Sequence, residues 1–231
     1  MAKSITSEQA IPASCFDFLK KLKQNNNREW FNAHKERFLK EQDLIAAFAD
    51  RVLNNLNKHD QIETPSGRAG LYRIYRDTRF SADKTPYKTN WSCSFKRATK
   101  QRRGSYYFQL EPEGSFVGGG FWGPVPQDLK RIREDIAYDA SPLRKILNNA
   151  SFKAMFGQLG GAQVKTAPKG FDAAHDAIDL LRYKQFLLIR KFSNEEVLRS
   201  DFSNEVAKTF KTMRPFLDYM SEVLTTDANG L

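Results

Sequence analysis

Two stretches of two-residue alternation mark the middle of this chain as β-structure. Over residues 91–96, Trp91, Cys93 and Phe95 alternate with Ser92, Ser94 and Lys96. Over residues 106–111, Tyr106, Phe108 and Leu110 alternate with Tyr107, Gln109 and Glu111. Successive side chains on a strand point to opposite faces, so this pattern buries one face and wets the other, as half-buried antiparallel strands do. Residues 71–80, rich in Tyr, Ile, Phe and Thr, read as a preceding strand. Residues 115–118 read as a further strand entered through a turn at 112–114, and residues 186–192 as the last one. A basic loop at 98–104 joins two of these strands.

Helical periodicity flanks the block on both sides. Phe16, Phe18, Leu19 and Leu22 suggest a short first helix ending before Asn25. A second helix is expected to start at Asn27 or just before it, because Asn is a good N-cap. Phe31, His34, Phe38, Ile45, Phe48, Val52 and Leu56 then recur at helical spacing to about Asn57. After Pro126, Leu129, Ile132 and Ile136 form an apolar stripe. Ser141 with Pro142 reads as an N-cap and first-turn pair. Residues 177–184 look helical, and Ser193 with Glu196 is a capping box. A C-terminal helix carries Val206, Phe210, Met213, Leu217 and Met220, with Pro215 inside it expected to kink or split it.

The order of helices, then strands, then helices indicates an α+β fold: one mainly antiparallel sheet flanked by N-terminal and C-terminal helices. A chain of 231 residues is long enough for a sizeable core. A single domain over residues 1–231 is expected, ordered over about 12–224, with polar, flexible ends. The loop at 157–170 is the best candidate hinge. There is no apolar run near the length of a membrane span and no apolar segment behind Met1, so the expectation is a cytoplasmic protein. Cys15 and Cys93 match no zinc or redox spacing and read as buried apolar side chains. No metal site and no cofactor are expected.

The charge is concentrated. Residues 68–103 hold eleven cations against Asp77 and Asp83, or +9, and the whole chain carries +10. Repulsion within such a cluster points to an anionic partner. The densest part runs from Arg73 to Lys88. On an unbroken strand Arg73, Asp77 and Arg79 share one face, while Arg76 lies on the other with Tyr72, Ile74 and Phe80. A turn over residues 81–86 returns Lys84, Tyr87 and Lys88 beside the strand end. Arg73, Arg76, Arg79, Lys84 and Lys88 are therefore the candidate anion binders, since guanidinium forks and ammonium groups suit phosphate or carboxylate. Asp77 is the expected orienter of the arginines, with Asp83 as the other choice. Asp77, Asp83, Tyr87 and His175 are the candidates for proton transfer.

The same segment resembles a known family. Arg73, Arg76, Asp77, Arg79, Phe80, Asp83, Lys84 and Tyr87 spell R-x-x-R-D-x-R-F-x-x-D-K-x-x-Y, the hallmark of a widespread bacterial family of conserved hypothetical proteins, catalogued as a domain of unknown function. The run from Asn26 to Phe31 with His34 and Lys35, the Gly119–Pro124 run, Pro168 to Phe171, and Leu180 to Arg182 also fit. Where the family tends to show Asp-His-Pro, this chain has Ala174, His175 and Asp176. The resemblance covers about residues 14–220. It implies one domain and no agreed activity.

Other patterns carry less. Lys96, Arg97, Lys100, Arg102 and Arg103 put five cations in the loop region 96–103, which suits a solvated hairpin tip or contact with a nucleic-acid backbone. Gly118, Gly120 and Gly123 spell G-x-G-x-x-G, but no βαβ unit surrounds them, and glycines that let backbone pass closely over the sheet are the better reading. His175 with Asp176 and Asp179 reads as a capped helix start, with a metal or acid–base site as the alternative. His34 is expected at the edge of the core, with the arginine pocket as its other possible place, and the Asn25–Arg28 corner is expected to be a cap, with pocket lining as the alternative. The leading functional expectation is an arginine-lined oxyanion site for a phosphate-bearing ligand. The alternatives are a nucleic-acid-binding module using the 96–103 loop, and a structural protein whose Arg/Asp motif is an internal ion-pair network.

Overall fold

The computed structural model describes residues 10–226. The polar ends expected to be flexible, 1–8 and most of 225–231, lie outside that range. Three helices come first among the described residues: α1 (Ala13–Gln24), α2 (Arg28–Ala33) and α3 (Lys35–Leu56), followed by the single turn α4 (Gly67–Gly70). Strands β1 (Trp91–Lys96), β2 (Ser105–Leu110) and β3 (Phe116–Phe121) come next. Helices α5 (Pro126–Tyr138), α6 (Ser141–Asn148), α7 (Ala150–Phe156) and α8 (Ile178–Leu181) lead to β4 (Phe186–Lys191), α9 (Asn194–Val197) and α10 (Phe202–Thr225). The strands form one antiparallel sheet in the order β1-β2-β3-β4. The fold is α+β.

The chain divides into two compact units. The first comprises residues up to 95 with Tyr107–Val117 and Lys191–Lys208; the second comprises Lys96–Tyr106, Gly118–Arg190 and the residues from Thr209 on. In the first unit the apolar faces of α1 and α3 supply Phe18, Leu22, Ile45, Phe48 and Val52 to the core. Aromatic rings continue it: Phe38 stacks on Trp91 at 5.4 Å, and Phe48 stacks on Phe202 at 5.5 Å. The expected second helix is broken at His34, which leaves helical geometry at φ −113°, ψ 15°. Its ring stacks on Trp30 at 4.0 Å, and Nδ1 lies 2.8 Å from the Trp30 carbonyl, a local bond that competes with helix continuation.

In the second unit, β3 explains the glycine run. Gly120 has φ +121°, and a Cβ there would stand 2.1 Å from the Phe186 carbonyl oxygen. The G-x-G-x-x-G pattern thus lies largely on a strand rather than in a phosphate-binding loop, and it brings backbone against backbone. Helix α6 starts one residue earlier than expected: Ser141 is its first residue, and the Asp139 carboxylate accepts from the Ser141 N–H. The Ser193–Glu196 capping box forms as expected. Pro215 does not split α10, which runs through it.

Candidate functional site

Residues 71–88 are not a ladder strand. They form an irregular hairpin tied down at a few points. Leu71 bridges Cys93 on β1, Tyr75 bridges Tyr87, the Arg76 N–H donates to Pro86 O, and the Lys88 N–H donates to Ile74 O. Of the apolar residues expected on one strand face, only Ile74 is buried; Tyr72 is half exposed and Phe80 is 95% exposed. The tip satisfies its polar groups through side chains, which removes the need for a ladder partner. Asp77 clasps Arg79 with both oxygens, at 3.0 Å to Nε and 2.7 Å to Nη2. Lys84 Nζ donates to Thr78 O at 2.9 Å.

Arg76 finds its carboxylate on the returning limb. Its Nη1 bonds Asp83 and the Thr85 hydroxyl, and Asp83 Oδ1 accepts from Thr85 N at 2.9 Å and from Thr85 Oγ1 at 2.8 Å. The orienter of Arg76 is therefore Asp83, while Asp77 orients Arg79. The Thr85 N–H, then Arg76, then the Thr85 hydroxyl hold the Asp83 carboxyl down to about 2.

The hairpin is docked at the corner between α1 and α2. Asn27 caps α2 by accepting from the Trp30 N–H. That leaves Asn26 free to face Tyr87, where Nδ2 donates to Tyr87 O at 2.9 Å and Oδ1 accepts from Tyr87 N at 3.1 Å. The Tyr87 ring is buried and stacks on Phe31 at 4.0 Å. Burial pushes its hydroxyl pKa up, as does nearby Tyr75, with Arg28 opposing.

Between this corner and the hairpin lies a cavity of about 400 Å³. Arg76, Asp83, Thr85, Tyr87 and Lys88 line it from the hairpin, Lys23 and Asn26 from the corner, and Thr89 and Asn90 complete the wall. Three cations thus face one carboxylate. Burial, then repulsion from Arg73, lowers the pKa of Lys88, whose ammonium sits 5.2 Å from the centre of the Tyr72 ring. A smaller cavity of about 140 Å³ adjoins through the shared Lys23 and Thr89 and reaches Glu111, whose carboxylate accepts from the Thr89 hydroxyl at 3.0 Å.

The family model for a conserved hypothetical protein (DUF2461) matches residues 14–219. The chain belongs to this family. Comparison with curated proteins and with solved structures found no match. In this DUF2461 chain the cavity gathers Arg76 and Lys88 from the expected anion binders, and Asp83 and Tyr87 from the proton-transfer candidates. Arg73, Arg79 and Lys84 do not line it. Lys23, Asn26, Thr85 and Asn90 are additions. The Asn25–Arg28 corner gave a partial signal for Asn26, whereas Lys23 sits on a helix face with no local mark.

Of the remaining candidates, His175, Arg97 and Arg103 are engaged in internal hydrogen bonds. His175 Nδ1 accepts from the Ala177 N–H at 3.0 Å, which leaves Nε2 to donate to Ala137 O at 3.2 Å, so both ring nitrogens are occupied within the second unit. The 96–103 region is not a solvated tip throughout. Arg97 is buried and bonds Asp218, Ser221 Oγ and Arg103 O. Arg103 pairs with Asp128. Side chains so engaged are withdrawn from a nucleic-acid backbone. Lys96, Lys100 and Arg102 complete that set; Lys96 and Lys100 are exposed and Arg102 is partly so.

Carboxylates clasp Arg68, Arg76, Arg79, Arg97 and Arg103. No carboxylate among the described residues comes within ion-pair distance of Arg73, Lys84, Lys88 or Lys100, and three of these four belong to the hairpin. Cys15 and Cys93 are free, buried thiols whose pKa values burial pushes up. Among the described residues no cluster of His, Cys, Asp and Glu suits a metal ion, and no helix is long and apolar enough to cross a membrane.

Proposed function

We propose that the hairpin cavity binds a phosphate-bearing anion in a cytoplasmic setting. The observation that carries this reading is Arg76, aimed at the cavity by Asp83 and Thr85, together with Lys23 and Lys88, for which no carboxylate among the described residues comes within ion-pair distance. Among the described residues only Nη1 of the Arg76 guanidinium is engaged, so the rest of its donor fork remains for oxyanion oxygens. Lys23 and Lys88 act as point charges, and the Thr89 hydroxyl and Asn90 amide offer neutral hydrogen bonds at the wall.

The Arg79–Asp77 and Arg76–Asp83 pairs favour a second reading, in which the motif only braces the hairpin. The two readings separate on Arg76→Ala, examined by calorimetric titration with inorganic phosphate and by thermal melting. Arg76 is about a quarter exposed and its partner more than half, so losing the pair costs at most about 1 kcal/mol. That corresponds to a Tm drop of roughly 2–4 °C for a chain of this size. Binding predicts that phosphate at about 100 times Kd stabilises the parent by about 2.7 kcal/mol and leaves the variant unchanged. A brace predicts the same small drop in Tm and no phosphate effect on either protein.

A further inference from the structure

The hairpin that supplies much of the cavity wall also carries aromatic rings that the fold leaves uncovered. Tyr72 and Tyr75 are each 51% exposed, and Phe80 is 95% exposed. Tyr72 carries the Lys88 ammonium over its ring, and the Tyr75 ring lies 5.5 Å from that of Tyr87; both neighbours line the cavity. Phe80, three residues from Asp83, has the Arg79 guanidinium 5.8 Å from its ring centre. Burying a Phe side chain is favourable by about 1.5–3 kcal/mol, so leaving one fully in water at a charged tip sacrifices stability unless a partner covers it.

We propose that the ligand of this site is a single-stranded nucleic acid. One phosphate occupies the Arg76 cavity, and flanking bases stack on Tyr72, Tyr75 and Phe80. The inference rests on the anion-binding reading above and adds the class of ligand. Cations interleaved with exposed aromatic faces are what a flexible polyanion with flat bases requires: among the described residues no carboxylate comes within ion-pair distance of Arg73, Lys84 or Lys88, and every base has a face to stack. A mononucleotide has one base and cannot cover three rings spread from residue 72 to residue 80. A bilayer surface fits less well, because Asp77 and Asp83 flank Phe80 and would lose hydration with it.

The test uses the full chain and a fluorescein-labelled oligothymidylate of about 12 nucleotides, within the usual range of strand site sizes. Anisotropy should report binding that weakens about 20-fold between 50 and 200 mM salt, as three phosphate contacts on a single strand imply. Phe80→Ala and Tyr72→Ala should each weaken binding roughly 5- to 160-fold, the range for one lost stacking partner. Phe80→Trp should retain binding. Phe80 is exposed, so its replacement leaves the melting curve unchanged and the readout is affinity alone.

If inorganic phosphate binds but the oligonucleotide does not, this inference fails and the anion site stands. If neither binds, both fail. Oligonucleotide binding that is indifferent to Phe80→Ala and Tyr72→Ala overturns the stacking assignment. Binding instead to phosphatidylglycerol vesicles, lost on Phe80→Ala, also overturns it in favour of a membrane surface.

Discussion

Replacing Asn26 tests whether the corner after α1 both holds the hairpin and shapes its cavity. Its amide gives one donor and one acceptor to the backbone of Tyr87, 61 residues further on, at 2.9 and 3.1 Å. Asn26→Ala removes both bonds. At about 1 kcal/mol net each, the loss is about 2 kcal/mol, and the adjacent cavity lets water reach the freed groups and keeps the cost below the full desolvation penalty. For a chain of this size that lowers Tm by roughly 4–8 °C. Asn26→Asp behaves differently. Its carboxylate still accepts from the Tyr87 N–H but offers nothing to the Tyr87 carbonyl, so about half the loss, roughly 2–4 °C, is expected. The same change puts a negative charge beside the phosphate position and should weaken phosphate binding by at least about tenfold, while Asn26→Ala still binds. Scanning calorimetry and isothermal titration read the two effects separately. The reasoning is refuted if Asn26→Ala melts like the parent, or if Asn26→Asp binds phosphate equally well.

Two further expectations follow from the charged groups. Asp83 has its pKa depressed in the folded state, so its contribution to stability is complete above the ordinary value of 3.8 and is lost as pH falls through about 2. Amide exchange at Thr85 should stay slow at pH 4 and quicken between those values, and Asp83→Asn should abolish that acid step. Arg97→Met should cost about 2 kcal/mol, because hydrogen bonds from a buried guanidinium to Ser221 and the Arg103 carbonyl disappear, while Asp218 keeps Arg214 at 3.1 Å. Being buried, Arg97 should leave the salt dependence of any oligonucleotide binding unchanged, which anisotropy checks.

How far the sequence could be read depended on whether the deciding partner was local. Alternation at Trp91, Cys93 and Phe95, and at Tyr106, Phe108 and Leu110, is a property of the strand itself, and β1 and β2 fall where it places them. The capping box at Ser193 and Glu196 spans three residues and was equally plain. Residues 71–80 had the composition of a strand, but strand preference reflects cross-strand packing, and this segment meets partners only at isolated bridges. The polar residues at its tip bond to one another instead. Asp77 is Arg76's neighbour in sequence, yet the chain reverses and delivers Asp83, which no pattern within a straight strand reveals. Arg97 looked like one more cation in a basic loop. Its partners Asp218 and Ser221 come from more than 120 residues away, on a helix whose apolar stripe says nothing about them. Lys23 was hidden for the same reason: the hairpin's docking, rather than any local spacing, makes it part of the cavity wall, whereas Asn26 was marked in part by the Asn25–Arg28 corner.

The uneven pairing of the cations has a kinetic consequence. A guanidinium clasped by a carboxylate is felt from afar as a dipole, whose field fades faster than that of a lone charge. The formal charge of the 68–103 segment therefore overstates what an approaching anion encounters at long range. Arg73, Lys84 and Lys88 have no ion-pair partner among the described residues, so the torque that turns an incoming polyanion comes chiefly from the hairpin. Productive collisions there should be rapid in dilute buffer and slow markedly once the Debye length shrinks below about 10 Å.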